Sequence, residues 1–382
     1  MAKQGAPNDS KVGLIPSVVA AIAVTRAARR APTSEDVAAI HAAGDRPSLV
    51  EVATVEEPSG GVKRLVWRLD RYQRDRPALA FPLAVGKKFT EDKAGFLAAL
   101  VAYFGFFSVF PLMLAFMSVL GFVLPDPADQ REFADAAANQ IPVIGGKIQQ
   151  TAGALDGSVV AIVIPLIVAL WSGLKIVDAM QNALNDVWDL PPINRPSMIT
   201  KRLRGFLMLG LIGGGLVGSV ALSNIATLLD VIPGAGKFGI WGASLAMSIG
   251  LYLLSFQLLT DMKLPWRDLV PGAVFGGTCW WLLHTFGSAI IIRQQESAGE
   301  AYGDFATIIA LLVFLFIAAQ LSLLGAEISV VRSRGLWPRS LVKGDFTEAD
   351  IEAFELLAGS TRQDARYEVR LEPVAGRDAG PG

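Results

Sequence analysis

Residues that build metal sites and covalent cross-links are nearly absent from this sequence. Its 382 residues include one cysteine, Cys279, and two histidines, His41 and His284. A single cysteine excludes an intrachain disulfide bond. Two distant histidines and one cysteine do not supply the four ligands of a structural zinc site. We therefore expect neither a metal nor another cofactor.

An excess of charge of either sign is also lacking. The chain has 34 lysines and arginines against 35 aspartates and glutamates, a net charge of −1, so no nucleic-acid partner is indicated.

Enzyme signatures are weak as well. Residues 234–238 lack the first glycine and the final hydroxyl residue of a phosphate-binding loop, and Ser172 with Lys175 is an isolated Ser-x-x-Lys pair. We expect the protein not to be an enzyme.

Long apolar runs are what the sequence has instead. Hydrophobic residues make up 52% of the chain, mean hydropathy is +0.45, and the apolar residues come in blocks. A helix needs about 20 residues to cross a hydrocarbon core roughly 30 Å thick. Six runs meet that length: 94–124, 158–179, 203–222, 238–259, 269–292 and 305–331. We predict an all-α, polytopic membrane protein with a six-helix transmembrane bundle over residues 94–331.

The loops between these runs alternate in positive charge. One set is rich in lysine and arginine: Lys87, Lys88, Lys93, Arg195, Lys201, Arg202, Arg204, Lys263, Arg267, Arg332, Arg334, Arg339 and Lys343. The other set is acidic or has a single basic residue per loop. Because basic loops stay in the cytoplasm, both termini are predicted to be cytoplasmic.

Three segments flank the predicted bundle. Residues 1–61 have the composition of a disordered cytoplasmic extension. Its apolar piece, residues 12–24, contains Pro16 and lacks a small-x-small cleavage site, which favours a tail element over a signal peptide. Residues 332–382 form a cytoplasmic tail with one short helix, for which Thr347 and Asp350 predict an N-cap.

The third flanking segment, residues 62–93, has a basic amphipathic pattern. Apolar residues recur at helical spacing, and cations fill the rest of the surface: Lys63, Arg64, Arg68 and Arg71. Such a helix either lies in the headgroup layer with its cations on anionic lipid or packs under the bundle by the same apolar stripe. The sequence leaves both interpretations open.

Glycines at small-xxx-small spacing predict close helix packing. They lie in the third and fifth runs: Gly210, Gly214, Gly218, Gly272 and Gly276. In lipid, where helices gain no hydrophobic driving force from association, a residue without a side chain lets two backbones approach.

Polar residues cluster toward the predicted cytoplasmic side. Lys175, Asp178, Asn182, Asn185 and Asp189 are spaced 3, 4, 3 and 4 residues apart, which places them on one helix face. We predict that they line a polar vestibule, together with three side chains on other runs: Gln257, Gln320 and Glu327. The face could equally be a solvated helix end, and Glu327 either a structural clamp or a substrate contact.

Five motifs, in order, carry a family resemblance. Residues 102–111, AYFGFFSVFP, resemble the AxYFxLFSLFP signature of the YihY/BrkB family of bacterial inner-membrane envelope integrity proteins. The other matching segments are 171–185, 266–273, 302–303 and 323–327, and the resemblance covers residues 62–341. It implies six helices in the cytoplasmic membrane and a role in envelope integrity, with movement of lipid or lipopolysaccharide precursors. It also carries a former label, ribonuclease BN, for which these residues offer no physical reason.

The resulting hypothesis is an envelope protein that binds an amphipathic lipid-like molecule. In the stronger version of this hypothesis, the protein also translocates that molecule. A polar vestibule beneath an apolar middle suits such a substrate better than an ion pump, whose charged sites lie near the midplane. The alternative is a structural or scaffolding membrane protein without a transported substrate. Hydrolysis at Ser172 and Lys175 is a third. The oligomeric state stays open, a homo-oligomer included.

Overall fold

The computed structural model describes residues 60–123, 126, 159–228, 235–302, 304–342 and 345–364. Regular structure within those residues is helical, with nine α-helices, a 3-10 turn at Pro192–Asn194 and no strand. The helices are α1 (Gly61–Arg74), α2 (Pro77–Glu91), α3 (Ala94–Val123), α4 (Val159–Val187), α5 (Met198–Leu228), α6 (Ala235–Leu259), α7 (Trp266–Tyr302), α8 (Asp304–Arg334) and α9 (Glu348–Ser360). Residues 1–59 of the predicted extension lie outside the described residues, as does the tail beyond residue 364.

Each of the six predicted apolar runs falls on one of the long helices α3 to α8. Two of these helices continue well past the predicted ends, α4 to Val187 and α7 to Tyr302. Within the described residues, four segments are long and apolar enough to cross a membrane: Ala94–Ala115, Val163–Val187, Trp241–Leu259 and Ile308–Arg334. The chain therefore has the apolar helices of a multi-pass membrane protein.

Small side chains bring the long helices together. The buried core of α3 is largely alanine, with Ala94, Ala98 and Ala102 all at most 3% exposed. Larger residues fill the space between helix ends, among them Trp188 and Leu323, which are both fully buried. Since lipid tails are as apolar as leucine, such close van der Waals packing is what holds helices together in a membrane.

Glycines mark the closest helix contact. A Cβ placed on Gly272 of α7 would lie 2.0 Å from the carbonyl oxygen of Gly325 on α8, and one on Gly276 would lie 2.7 Å from the Tyr252 ring. In α5, by contrast, a Cβ on Gly210 or Gly214 would meet no described atom within 4 Å. Close contacts of α5 are instead at Gly205, where a Cβ would lie 2.8 Å from the Leu174 side chain, and at Gly215, where it would lie 3.0 Å from the Leu251 side chain. The surroundings of Gly218 lie outside the described residues.

The segment after α8 folds back onto the N-terminal helices. We call residues 335–342 and 345–360, which include α9, the C-terminal latch. Asp350, fully buried, accepts hydrogen bonds from Arg339 Nε at 2.6 Å and Lys87 Nζ at 2.7 Å. Its carboxylate also forms a capping box with Thr347, the predicted N-cap. Burial alone would raise the pKa of Asp350, but these hydrogen bonds from Arg339 and Lys87 outweigh it and hold the pKa below its usual range.

Helix α1 meets the C-terminal latch through its polar face. Gln73 Nε2 donates to the Arg339 carbonyl at 2.6 Å, and the Asp70 carboxylate accepts from Leu341 N at 2.7 Å. The apolar stripe on the other side of α1 is exposed, at residues Val62, Leu65, Leu69 and Tyr72. Within the described residues, this stripe is therefore not what joins α1 to the rest of the protein.

Candidate functional site at the polar end of the bundle

Charged and amide side chains gather where α4, α6 and α8 end and where α3, α5 and α7 begin. We call this the polar end of the bundle. Five contacts bring these helix ends together: Lys88 with Asp189 at 3.2 Å, Lys201 with Asn182 at 2.9 Å, Asn185 with Asp261 at 2.6 Å, Arg334 with the Trp188 carbonyl at 2.7 Å, and Ser329 with the Gly272 amide at 3.1 Å. The six long helices therefore alternate in direction.

A buried group of charges lies at the centre of the polar end. We call it the Lys88 cluster: Lys88 of α2, Asp92 after α2, Asp189 after α4, and Glu327 and Arg334 of α8. Lys88 Nζ is 2.5 Å from an Asp92 carboxylate oxygen, 3.2 Å from one of Asp189 and 4.0 Å from one of Glu327. Arg334 contacts the same Asp189 oxygen at 3.3 Å. The cluster joins α2 to the ends of α4 and α8.

Backbone conformation helps to place one of these carboxylates. Asp189 has a φ of 53°, in the left-handed region that aspartate tolerates better than most residues. This turn ends α4 and lets the Asp189 side chain reach both Lys88 and Arg334. The last residue of the predicted polar face thus binds cations from two other helices.

Burial and charge work in opposite directions within the Lys88 cluster. Burial favours the neutral form of Lys88, but the carboxylates of Glu327, Asp189 and Asp92 outweigh it and raise the pKa of Lys88. Burial is also the largest influence on Asp92, whose pKa rises to about 6 despite the nearby Lys88 ammonium. Lys88 is therefore charged at neutral pH, and the raised pKa of Asp92 lies just below neutral pH.

The rest of the predicted polar face is distributed among separate partners. Asp178 lies 3.3 Å from Arg202 and 4.0 Å from Lys201, both at the start of α5. Asn185, fully buried, donates to Asp261 and also accepts from its backbone amide at 2.9 Å. Asp261 in turn contacts Arg204.

Lys175 lies apart from these pairs. Its ammonium group is 5.7 Å from the centre of the Trp171 ring, and that ring is 63% exposed. A cation over an exposed tryptophan suits the boundary between lipid and water. The structure does not bring Lys175 to the Lys88 cluster.

Several buried amides and hydroxyls have unmet hydrogen-bonding capacity. Among the described residues, both amide atoms of Gln181, Oε1 of Gln257 and Oγ1 of Thr260 have no hydrogen-bond partner, nor does either carboxylate oxygen of Glu327. Gln320, also predicted for the site, is partly buried on α8. Unpaired buried polar atoms are costly, so these residues are the least satisfied part of the polar end.

An apolar groove runs along the outer surface between α3 and α8. Its volume is about 320 Å³, and it is lined by Ala99, Ala102, Tyr103, Leu312, Val313 and Phe316. On α8, Phe316, Gln320 and Glu327 are spaced by 4 and 7 residues and so share one helix face. Phe316 is roughly 16 Å from Glu327 along that face, at about 1.5 Å per residue.

Several residues of the polar end were not predicted for this site. Lys88 and Arg334 were assigned only to basic loops, and Asp92 was assigned no role, although the i, i+4 spacing of Lys88 and Asp92 next to apolar Val85 and Phe89 was a signal of a buried pair. Gln181 lies between the predicted face positions Asp178 and Asn182, one residue off their stripe, and carried no signal.

Ser172 does not have the geometry of an activated nucleophile. Its hydroxyl donates to the Ala169 carbonyl at 3.1 Å, while the Lys175 ammonium lies over Trp171. A nucleophilic serine would instead donate to a base. Across the described part of the chain, no group of three or more His, Cys, Asp or Glu side chains is arranged to hold a metal ion.

Comparison with known proteins gives one family. The family described as "Virulence factor BrkB" matches residues 85–341. The match includes the Lys88 cluster, the groove and the six long helices, and it begins after α1. It also stops before α9, so α1 and α9 lie outside the match, whereas Arg339 and Lys87, which contact them, lie inside it.

Related proteins share this region at low identity. The ribonuclease-like protein YfkH of Bacillus subtilis (strain 168) is 25% identical over 66% of this chain and 95% of its own length. A UPF0761 membrane protein of Stenotrophomonas maltophilia (strain K279a) is 25% identical over 67% of this chain, which spans 62% of that relative. An uncharacterized protein of Dickeya dadantii (strain 3937) is 25% identical over 73% of this chain and 92% of its own. No solved structure matches.

Proposed function

Given that the chain belongs to the BrkB family of membrane proteins, we propose that it acts in envelope integrity by binding and moving an amphipathic, lipid-like molecule. We place it in the cytoplasmic membrane with six crossings and no catalytic step. The polar end would face the cytoplasm, because the basic loops gather there.

One observation supports this function most directly. The apolar groove between α3 and α8 leads along a single face of α8 to Gln320 and then to Glu327. An acyl chain fits a groove of hydrocarbon and aromatic side chains at membrane depth. A polar headgroup fits the amides and carboxylates beyond it, several of which have unpaired atoms. The proposed substrate-binding residues are those of the predicted vestibule: Lys175, Asp178, Asn182, Asn185, Gln257, Gln320 and Glu327.

Reconstitution in liposomes tests the groove. Ala99 is exposed and lines the groove, so the tryptophan of Ala99→Trp would occupy the groove without overpacking the buried core. Leu100→Trp is the matched control, because Leu100 is the next residue, is exposed and does not line the groove. We expect wild type and Leu100→Trp to move a labelled phospholipid between leaflets and Ala99→Trp to be slower by tenfold or more, since a tenfold change needs only about 1.4 kcal/mol.

The same assay separates the main alternative. If wild-type protein moves no labelled lipid from a panel of phospholipids and lipopolysaccharide precursors, the scaffolding hypothesis is favoured instead. Equal rates for Ala99→Trp and wild type would reject the groove as the path while leaving lipid movement intact.

The proposed orientation has its own test. The single cysteine makes labelling simple, because Cys279→Ser gives a background without thiols. In that background, Arg195→Cys lies at the polar end and Asp126→Cys follows the other end of α3. A membrane-impermeant thiol reagent added to intact cells should label residue 126 only. Labelling at residue 195 would show the opposite topology and contradict the proposed orientation.

We also propose that α1 contacts anionic lipid through its exposed stripe and the cations beside it, Lys63, Arg64, Arg68 and Arg71. Each basic residue near an anionic surface contributes about 1 kcal/mol. Brominated anionic lipid should quench a fluorophore at Leu65→Cys on the stripe more than one at Asp75→Cys, which is exposed just after α1. Equal quenching at both positions would contradict this contact.

A further inference from the structure

The Lys88 cluster has more carboxylates than cations. Asp92, Asp189 and Glu327 face Lys88 and Arg334, so the fully ionised cluster would carry a net charge of −1. The side chains of the three carboxylates and of Lys88 are at most 4% exposed. A surplus charge held away from water is strongly unfavourable, and buried groups commonly bind a proton instead.

The contacts show which carboxylates hold the surplus. Asp189 has two cations, with Lys88 at 3.2 Å and Arg334 at 3.3 Å. Among the described residues, Asp92 and Glu327 form an ion pair only with Lys88, and its ammonium group is 2.5 Å from Asp92 but 4.0 Å from Glu327. Glu327 is fully buried, and neither of its carboxylate oxygens has a hydrogen-bond partner among the described residues. It is the least compensated group of the cluster.

We propose that Glu327 and Asp92 form a binding site for one exchangeable proton, which Glu327 holds at neutral pH and donates in a hydrogen bond to Asp92. The proton brings the cluster to neutrality and occupies an oxygen of Glu327 that otherwise has no partner. This site does not depend on lipid movement, because it follows from the charges and their burial alone.

A proton fits this site better than a metal cation does. The Lys88 ammonium lies within 4.0 Å of both carboxylates and would repel a second cation. The described residues also include no group of acidic, cysteine or histidine side chains arranged as metal ligands. A proton needs only one oxygen and one acceptor, and Asp92 is that acceptor.

Three described charged groups act directly on Glu327. Lys88 comes from α2, Asp92 from the turn after α2 and Asp189 from the turn after α4. Arg334 of α8 acts on Asp189 and Asp92, and Glu352 of α9 acts on Arg334. From α7, the neighbouring groups are uncharged, Gly272 and the Leu269 carbonyl, both bonded to Ser329. Two members are on or next to α2, so proton binding is linked to the docking of that helix on α8.

Infrared spectroscopy of the full chain in lipid nanodiscs tests the proposal. A protonated carboxyl has a C=O stretch that an ionised carboxylate lacks, and the band shifts in D₂O. We expect the wild type to show one such band at neutral pH and to lose it reversibly as the pH rises. A wild-type spectrum without the band at neutral pH would overturn the proposal, and this measurement requires no variant to fold.

Variants then assign the band. Glu327→Gln and Asp92→Asn each remove one ionisable carboxyl group and leave two carboxylates for two cations, so either change should abolish the band. Lys88→Met removes a cation and should strengthen it about twofold, because charge balance then requires a second proton. Glu355→Gln, at an exposed position on α9, is the matched control and should leave it unchanged.

Two results would overturn the assignment. A band that survives in both Glu327→Gln and Asp92→Asn belongs to other groups. A band that is present only after sodium is replaced by choline identifies a metal-cation site. Lipid movement by Ala99→Trp and wild type is measured separately, so failure of the proton site and failure of the proposed transport are distinguishable.

Discussion

Replacing Gly272 with alanine should separate α7 from α8. The added Cβ would lie 2.0 Å from the Gly325 carbonyl oxygen, whereas ordinary contacts are 3.4–4 Å. Because the obstructing atom belongs to the backbone, it cannot rotate away, and the helices must move apart by roughly 1 Å or more. Such overpacking costs about 1–3 kcal/mol, and more where the backbone itself must shift.

Gly210→Ala is the matched control for this change. Gly210 also lies inside a long helix, but a Cβ there meets no described atom within 4 Å. Alanine is favoured over glycine in a helix interior by roughly 0.5–1 kcal/mol, so this variant should be as stable as wild type or more stable. Thermal unfolding in detergent, followed by loss of monodisperse protein, would give a Tm lower by several degrees for Gly272→Ala only.

The result that would refute this reasoning is a Gly272→Ala Tm equal to that of wild type or Gly210→Ala. Function provides a second measurement. Gly325 precedes Glu327 by two residues, so a displaced α8 should also move Glu327 relative to Lys88. We expect Gly272→Ala to impair lipid movement even in the fraction of protein that stays folded.

Further predictions concern the C-terminal latch and the polar end. Asp350→Ala leaves Arg339 and Lys87 without their shared carboxylate. Hydrogen exchange should then show that the free energy of opening α9 is lower by about 3–5 kcal/mol. Glu355→Ala should leave that free energy nearly unchanged. Because the pKa of Asp350 is lowered, its ionised form stabilises the latch above the usual carboxyl range, and this stability is lost as the pH falls. Proteolysis within α9 should therefore increase in acid, and Asp350→Asn should abolish that pH dependence. Asn185→Ala deprives Asp261 of two hydrogen bonds and should cost about 1–3 kcal/mol in thermal unfolding; an unchanged Tm would contradict the buried contact.

Helix positions along the chain were accessible from the sequence because apolar length is a local signal. The six runs each fall on a long helix, but counting apolar residues ended the second run at residue 179, whereas α4 continues to Val187. The continuation is amphipathic and contains Gln181 and Asn185, which pack against protein and not lipid. Counting apolar residues therefore located this helix but ended it too early, because its last two turns contain polar residues that the protein covers.

Partners across the bundle could not be predicted in the same way. Spacing placed Asp178, Asn182 and Asn185 on one face, and each of them does face a polar group. The groups themselves come from residues that are distant in sequence, such as Asp261 for Asn185, and only the fold brings them together. The glycines show the same limit, since spacing marks Gly210 and Gly272 alike while only Gly272 meets a neighbouring backbone.

The C-terminal latch also has a consequence for synthesis. Arg74 and Asp345, joined at 2.9 Å, are 271 residues apart. At about 5–20 residues per second, a ribosome needs tens of seconds to make the second partner after the first has emerged. Throughout that interval the N-terminal helices have no C-terminal segment to bind, and nascent chains stalled before residue 350 should leave α1 and α2 open to protease. Synthesis of residues 335–360 is then the step that allows the latch to form.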